Sequence, residues 1–88
     1  MATVASWPVE ISLHDDEEQT RAEALLSMDR TSIVGHGLAR RNPEDQQVTQ
    51  IGEEIAAARA LSDLAHQLLG DAAEQIEEIT HERAHLRL

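Results

Sequence analysis

The eight residues Ile33-Val34-Gly35-His36-Gly37-Leu38-Ala39-Arg40 decide how this chain folds. Period-2 alternation sets Ile33, Gly35, Gly37 and Ala39 on one side of a strand and Val34, His36, Leu38 and Arg40 on the other. Glycine weakens a strand and marks close approach by another backbone. The glycine side is nearly flat, so an alanine-rich helix can lie unusually close to it. The opposite side is also largely apolar, which predicts a sheet covered on both faces, with a twin subunit as the second cover. Val34, His36 and Leu38 are therefore the candidate dimer or interface strand. A lone histidine between two apolar residues reads as packed or interfacial rather than as a ligand or pH switch.

Upstream, Val9, Ile11 and Leu13 alternate with Glu10, Ser12 and His14, a half-buried strand. A second alternation sets Ala22, Ala24, Leu26 and Met28 opposite Arg21, Glu23 and Ser27. Between them, Asp15-Asp16-Glu17-Glu18 lacks the glycine and ligand spacing of a calcium loop and reads as a solvated hairpin loop. Downstream, Asn42-Pro43 ends the third strand. The helix follows in TQIGEEIAAARALSDLAHQLLG, residues 49–70. At 100° per residue, Ile51, Ile55, Ala58, Leu61, Leu64, Ala65, Leu68 and Leu69 share one half of the wheel, an apolar arc that predicts the face turned to the core. Ala56, Arg59, Ala60, Asp63 and Gln67 fall on the other half, with Arg59 and Asp63 one turn apart as an expected surface pair.

Gly70 predicts a helix stop, and Asp71 with Glu74 predicts the cap of a second helix. The expected architecture is α+β, a three-stranded antiparallel sheet followed by two helices (β-β-β-α-α) in one domain over residues 1–88. Its strands fall within 6–40, the long helix over about 50–69, the short helix over about 72–80 and a tail over 81–88.

The chain has 88 residues, no cysteine, no Phe or Tyr, and one aromatic, Trp7. So small a core is marginal alone, and a homodimer is the simplest way to bury more apolar surface. The start carries no signal-peptide pattern, and no run approaches the roughly 20 apolar residues of a membrane span. A cytoplasmic protein is expected.

A net charge of −10 opposes generic binding to nucleic acid and excludes DNA as an expected partner. Any phosphate contact must be local, and the candidates are Arg40 and Arg41, with Arg21 weaker; Arg83 and Arg87 would join them if the tail folds back. The Gly35-x-Gly37 pair is no dinucleotide fingerprint, because the third glycine position is Arg40 and the helix starts some ten residues later.

The tail holds one loud motif. His81-Glu82-Arg83-Ala84-His85 spells H-E-x-x-H, the zinc peptidase signature, which requires both histidines on one helical face and a third protein ligand. Only Leu86, Arg87 and Leu88 follow, so the motif is read as chance, and zinc hydrolysis is a remote alternative. No catalytic, cofactor or metal residues are expected.

The stretch Val34 to Leu64, with Ile76 to His81, resembles a small actinobacterial family described as a domain of unknown function. The resemblance rests on V-G-x-G-x-A-R-x-N-P-x-D, then I-G-x-E, then A-R-A-L-S-D-L, in order. It implies a three-stranded sheet with following helices, dimers, and mycobacterial relatives associated with hypoxia and dormancy. It also implies a fold likened to ribosome hibernation-promoting factors and double-stranded-RNA-binding folds. His36 stands where a small apolar residue is expected, and the strong acidity departs from the basic surfaces of hibernation factors. The expected function is a non-enzymatic homodimeric stress protein that binds the ribosome, with an acidic protein-interaction module as the alternative.

Overall fold

The computed structural model describes residues 4–40 and 49–88; Arg41 and the Asn42-Pro43 strand stop lie outside them. Three strands, β1 (Val9–Asp15), β2 (Gln19–Ser27) and β3 (Ser32–Arg40), precede one helix, α1 (Thr49–Thr80). The strands form an antiparallel sheet in the order β1-β2-β3. At the first hairpin, the Asp16 carboxylate accepts the main-chain N–H groups of Glu18 and Gln19, both at 2.8 Å. The acidic run is thus a self-bonded turn, as its composition predicts.

The register aligns Ile11 with Ala24 and Ala24 with Gly35, and likewise Leu13 with Ala22 and Ala22 with Gly37. All the residues expected on the core side therefore share one face, and α1 packs on it. The core consists of Ala22, Ala24, Leu26, Ala39, Ala56, Ala60 and Leu64, five alanines and two leucines. Such small side chains follow from how close the helix comes. A Cβ added to Gly35 would run into the Ala60 carbonyl and stand 2.6 Å from the Leu64 nitrogen. One added to Gly37 would collide with the Ala56 carbonyl and the Ala60 nitrogen. Gly52 repeats the device at the helix start, where a Cβ would lie 3.1 Å from the Thr20 hydroxyl.

This close contact corrects the wheel-based expectation over the first turns of α1, while Leu64 and Leu68 face the core as expected. The buried stripe is Ala56, Ala60 and Leu64, whereas Ile51, Ile55 and Leu61 stay 55%, 40% and 41% exposed. Against the glycine-faced strand, the small Ala56 and Ala60, with the Leu64 backbone, let helix and strand meet, so size overrides hydrophobicity over the first turns of the helix.

The expected second helix is also corrected. Residues 72–80 continue α1, which runs 32 residues without a break. Gly70 does not stop it, since no glycine has a positive φ. A mid-helix glycine costs only about 1 kcal/mol. Leu68 packs against the core just before it, and a Gln75 to Asp71 side-chain bond of 2.9 Å braces the turn after it. A 32-residue helix is about 48 Å long, against about 30 Å for the nine-residue strands, so its last turns project past the sheet.

Candidate functional site

The features that could serve binding are the two edges of the sheet, its outer face and the tail. The β3 edge is closed by side chains from α1. Arg59 Nη1 donates to the Leu38 carbonyl at 2.6 Å, Asp63 Oδ2 accepts from the His36 N–H at 2.8 Å, and Gln67 Nε2 donates to the Val34 carbonyl at 2.7 Å. Gln67 also donates to Asp63 Oδ2 at 3.1 Å, which steadies the carboxylate. These residues sit one helical turn apart, and the backbone groups they satisfy alternate along β3. The helix thus does what a fourth strand would do. Arg59 and Asp63, expected to pair with each other, both turn to the strand instead.

The outer sheet face carries the sequence candidates. Val34 is half-buried there, and His36 and Leu38 are exposed. Leu38 lies opposite Arg21, His36 opposite Glu23, Val34 opposite Leu25, and Arg40 opposite Gln19. Arg21 and Arg40 thus share a face, at the end of the sheet where the acidic hairpin also lies. His14 lies beside Arg21, and Glu10 beside Leu25. Acids and bases alternate over this face, a pattern suited to a mixed polar and apolar contact rather than to a phosphate track.

At the other end, the helix terminates at Thr80 and His81 adopts a left-handed φ of 60°. The His81 N–H still donates to the Glu77 carbonyl at 2.7 Å, the bond expected of a residue just past a helix end. The H-E-x-x-H string is therefore not helical, and its histidines do not share a helical face. His81 lines a groove with Glu77, Glu82 and Arg83. His85 lines another, where the tail doubles back toward His66 and Leu69. Among the described residues no three metal-ligating side chains cluster.

Sequence reasoning missed the open side of the core face. Val9, Ile11 and Leu13 point to the helix side of the sheet yet remain 44%, 39% and 38% exposed. The helix lies over β2 and β3 because the glycines are on β3, and β1 is left half-covered. The available signal was the position of those glycines, one strand removed from the apolar residues of β1.

A glycine-faced β-β-β sheet with its third strand sealed by a single long helix defines a small α+β class. The chain belongs to the Rv2632c-like family, whose model matches residues 5–85. It is 46% identical over 80 residues to the uncharacterized protein Mb1767 of Mycobacterium bovis, covering 91% of this chain and 85% of that protein. It is 47% identical over 74 residues to the uncharacterized protein Rv2632c of Mycobacterium tuberculosis, covering 84% and 80%. The crystal structure of Rv2632c superposes with a TM-score of 0.85 at 43% identity, covering 92% of this chain and 96% of that one. No described helix is long and apolar enough to cross a membrane.

Proposed function

We propose that this protein works by binding rather than by catalysis, as a homodimer that presents its outer sheet face to a protein partner. The observation that carries the reading is an inversion of the usual burial. The chain hides five alanines and two leucines and leaves Val9, Ile11, Leu13, Ile51, Ile55 and Leu61 open, with Leu25 and Leu38 open on the outer face. A core of five alanines and two leucines contributes little burial for 88 residues, and open apolar side chains of this kind mark contact surfaces. Leu25, Val34 and Leu38 supply the apolar centre of the partner face, with Glu10, Glu23, Arg21, His36 and Arg40 around it. The family resemblance extends the proposal to a role in hypoxic or dormant cells.

A protein partner is favoured over ribosomal RNA by charge. Arg21 and Arg40 share their face with Glu10 and Glu23, and the whole chain carries −10. The test is sedimentation of the full chain at micromolar concentration, with and without a generic double-stranded RNA at low salt. The expected result is twice the monomer mass of 9.7 kDa and no co-sedimentation with RNA. A monomer at every concentration would remove the homodimer. RNA binding that weakens steeply with salt would replace the protein partner with a phosphate backbone.

A further inference from the structure

We infer that β1 is the strand through which two copies of this chain join, pairing antiparallel with itself about Ser12. The inference rests on the homodimer reading above and adds to it the surface, the register and the reason assembly stops at two.

The sheet has two edges, and β3 is occupied by Arg59, Asp63 and Gln67. On β1, the hairpin bonds reveal which way the backbone points. The Pro8 carbonyl accepts from the Ser27 N–H at 3.1 Å, and the Asp16 N–H donates to the Gln19 carbonyl at 2.9 Å. Even-numbered residues of β1 therefore bond to β2, and alternation turns the N–H and C=O groups of Val9, Ile11 and Leu13 out of the sheet. No described residue pairs with those of Ile11 and Leu13. An edge of this kind is a template for another strand. The same residues carry the half-exposed apolar side chains on the core face.

The sequence of β1, VEISLHD, chooses the occupant, because its central five residues, Glu10 to His14, are complementary to their own reverse. Pairing must set odd residues against odd ones, or outward-pointing backbone would meet groups already bonded to β2. Centred on Ser12, Ile11 faces Leu13 of the second copy, and Glu10 faces His14. Ile11 and Leu13 then meet apolar partners, and Glu10 meets an imidazole whose N–H can donate to it, while at the strand ends Val9 meets Asp15. Centring on Ile11 would pair Ile11 with itself and Val9 with Leu13 but oppose Glu10 to Ser12 and His14 to Pro8, losing the carboxylate–imidazole contacts. Centring on Leu13 would oppose Ile11 to Asp15. The Ser12 register is the one of the three that pairs Glu10 with His14 while keeping Ile11 against Leu13.

The product is a six-stranded sheet, with both helices on one side and the Glu23/His36 face on the other. Its two outer edges are both β3, where Arg59, Asp63 and Gln67 already hold the Leu38 carbonyl, the His36 N–H and the Val34 carbonyl. Pairing through β1 uses up that edge in both copies, an isologous dimer whose remaining edges are the helix-flanked β3 strands.

The register is tested in the full chain, which has no cysteine of its own. Opposed Ser12 residues would form a non-hydrogen-bonded pair with Cα atoms about 4.5 Å apart, within disulfide reach. Ser12→Cys should therefore form a disulfide-linked dimer in near-complete yield under mild oxidation. Glu10→Cys and His14→Cys should each cross-link poorly alone and well when mixed. If sedimentation gives dimer mass while Ser12→Cys cross-links no better than Glu10→Cys, β1 pairing is wrong and the homodimer stands. If every variant and the parent sediment as monomers, both readings fall together.

Discussion

The Asp63 carboxylate, on α1, accepts the main-chain N–H of His36, on β3, at 2.8 Å. A helix side chain thereby takes the place of a neighbouring strand, and Arg59 and Gln67 repeat the substitution one turn to either side. The three contacts lock the helix to one lateral position over β3. The same position lets the backbones of Gly35 and Gly37 meet Ala56 and Ala60, and it leaves β1 uncovered. Edge closure, close packing and the open apolar strand are consequences of one docking geometry.

Asp63→Ala should remove the acceptor from the His36 amide and lower stability by about 1 kcal/mol, the scale of a single hydrogen bond that retains some access to water. Asp63→Asn keeps an acceptor oxygen and should lose less. Amide hydrogen exchange checks both, since the His36 amide should exchange markedly faster in the alanine variant. Unchanged protection there would show that the contact does not hold the edge.

Gly37→Ala and Gly70→Ala should act in opposite directions. At Gly37 the new methyl meets the helix backbone at Ala56 and Ala60, which cannot move aside singly, so a loss of about 1–3 kcal/mol or more is expected. At Gly70 nothing lies within 4 Å of the added Cβ and the φ is ordinary, so a gain of about 1 kcal/mol is expected. Urea unfolding of the two variants gives the signs directly. A stable Gly37→Ala protein would mean that helix and strand are not in backbone contact.

His81→Gly should raise stability by about 0.5–1 kcal/mol, because glycine adopts the left-handed conformation without the strain a side chain brings. It also destroys the H-E-x-x-H string. Zinc titration by calorimetry should show no stoichiometric tight site in either the parent or the variant. Tight binding by the parent that disappears in His81→Gly would revive the metal reading.

Arg21→Ala with Arg40→Ala should leave the fold and the sedimentation mass unchanged, since both side chains lie exposed on the outer face. Any binding to a protein partner through Leu25, Val34 and Leu38 should weaken modestly and with little dependence on salt. Loss of binding together with a steep salt slope would identify phosphate as the ligand.

Periodicity alone located the three strands to within a few residues and placed every core-facing side chain of the sheet on its true side. The Gly35/Gly37/Ala39 face announced a close helix, and that helix is there. The helix wheel placed Leu64 and Leu68 correctly but failed over the first turns of α1, because it weighs apolar character and not size. Ile51, Ile55 and Leu61 have the stronger hydrophobicity, but the glycine-faced strand takes Ala56, Ala60 and Leu64 at backbone contact. Gly70 was equally illegible, since the same residue ends one helix and merely weakens another. Its outcome depends on whether the turns beyond it gain contacts of their own.

The sequence by itself determined the sheet, its hairpins, its inward face and the existence of a helix to cover it, because alternation and turn chemistry are local. Tertiary structure alone decided where the helix lies across the sheet, and with it that Arg59, Asp63 and Gln67 seal β3 while Ile11 and Leu13 remain open on β1. Those outcomes depend on steric fit and hydrogen-bond reach between segments some twenty to fifty residues apart in the chain, which no local pattern encodes.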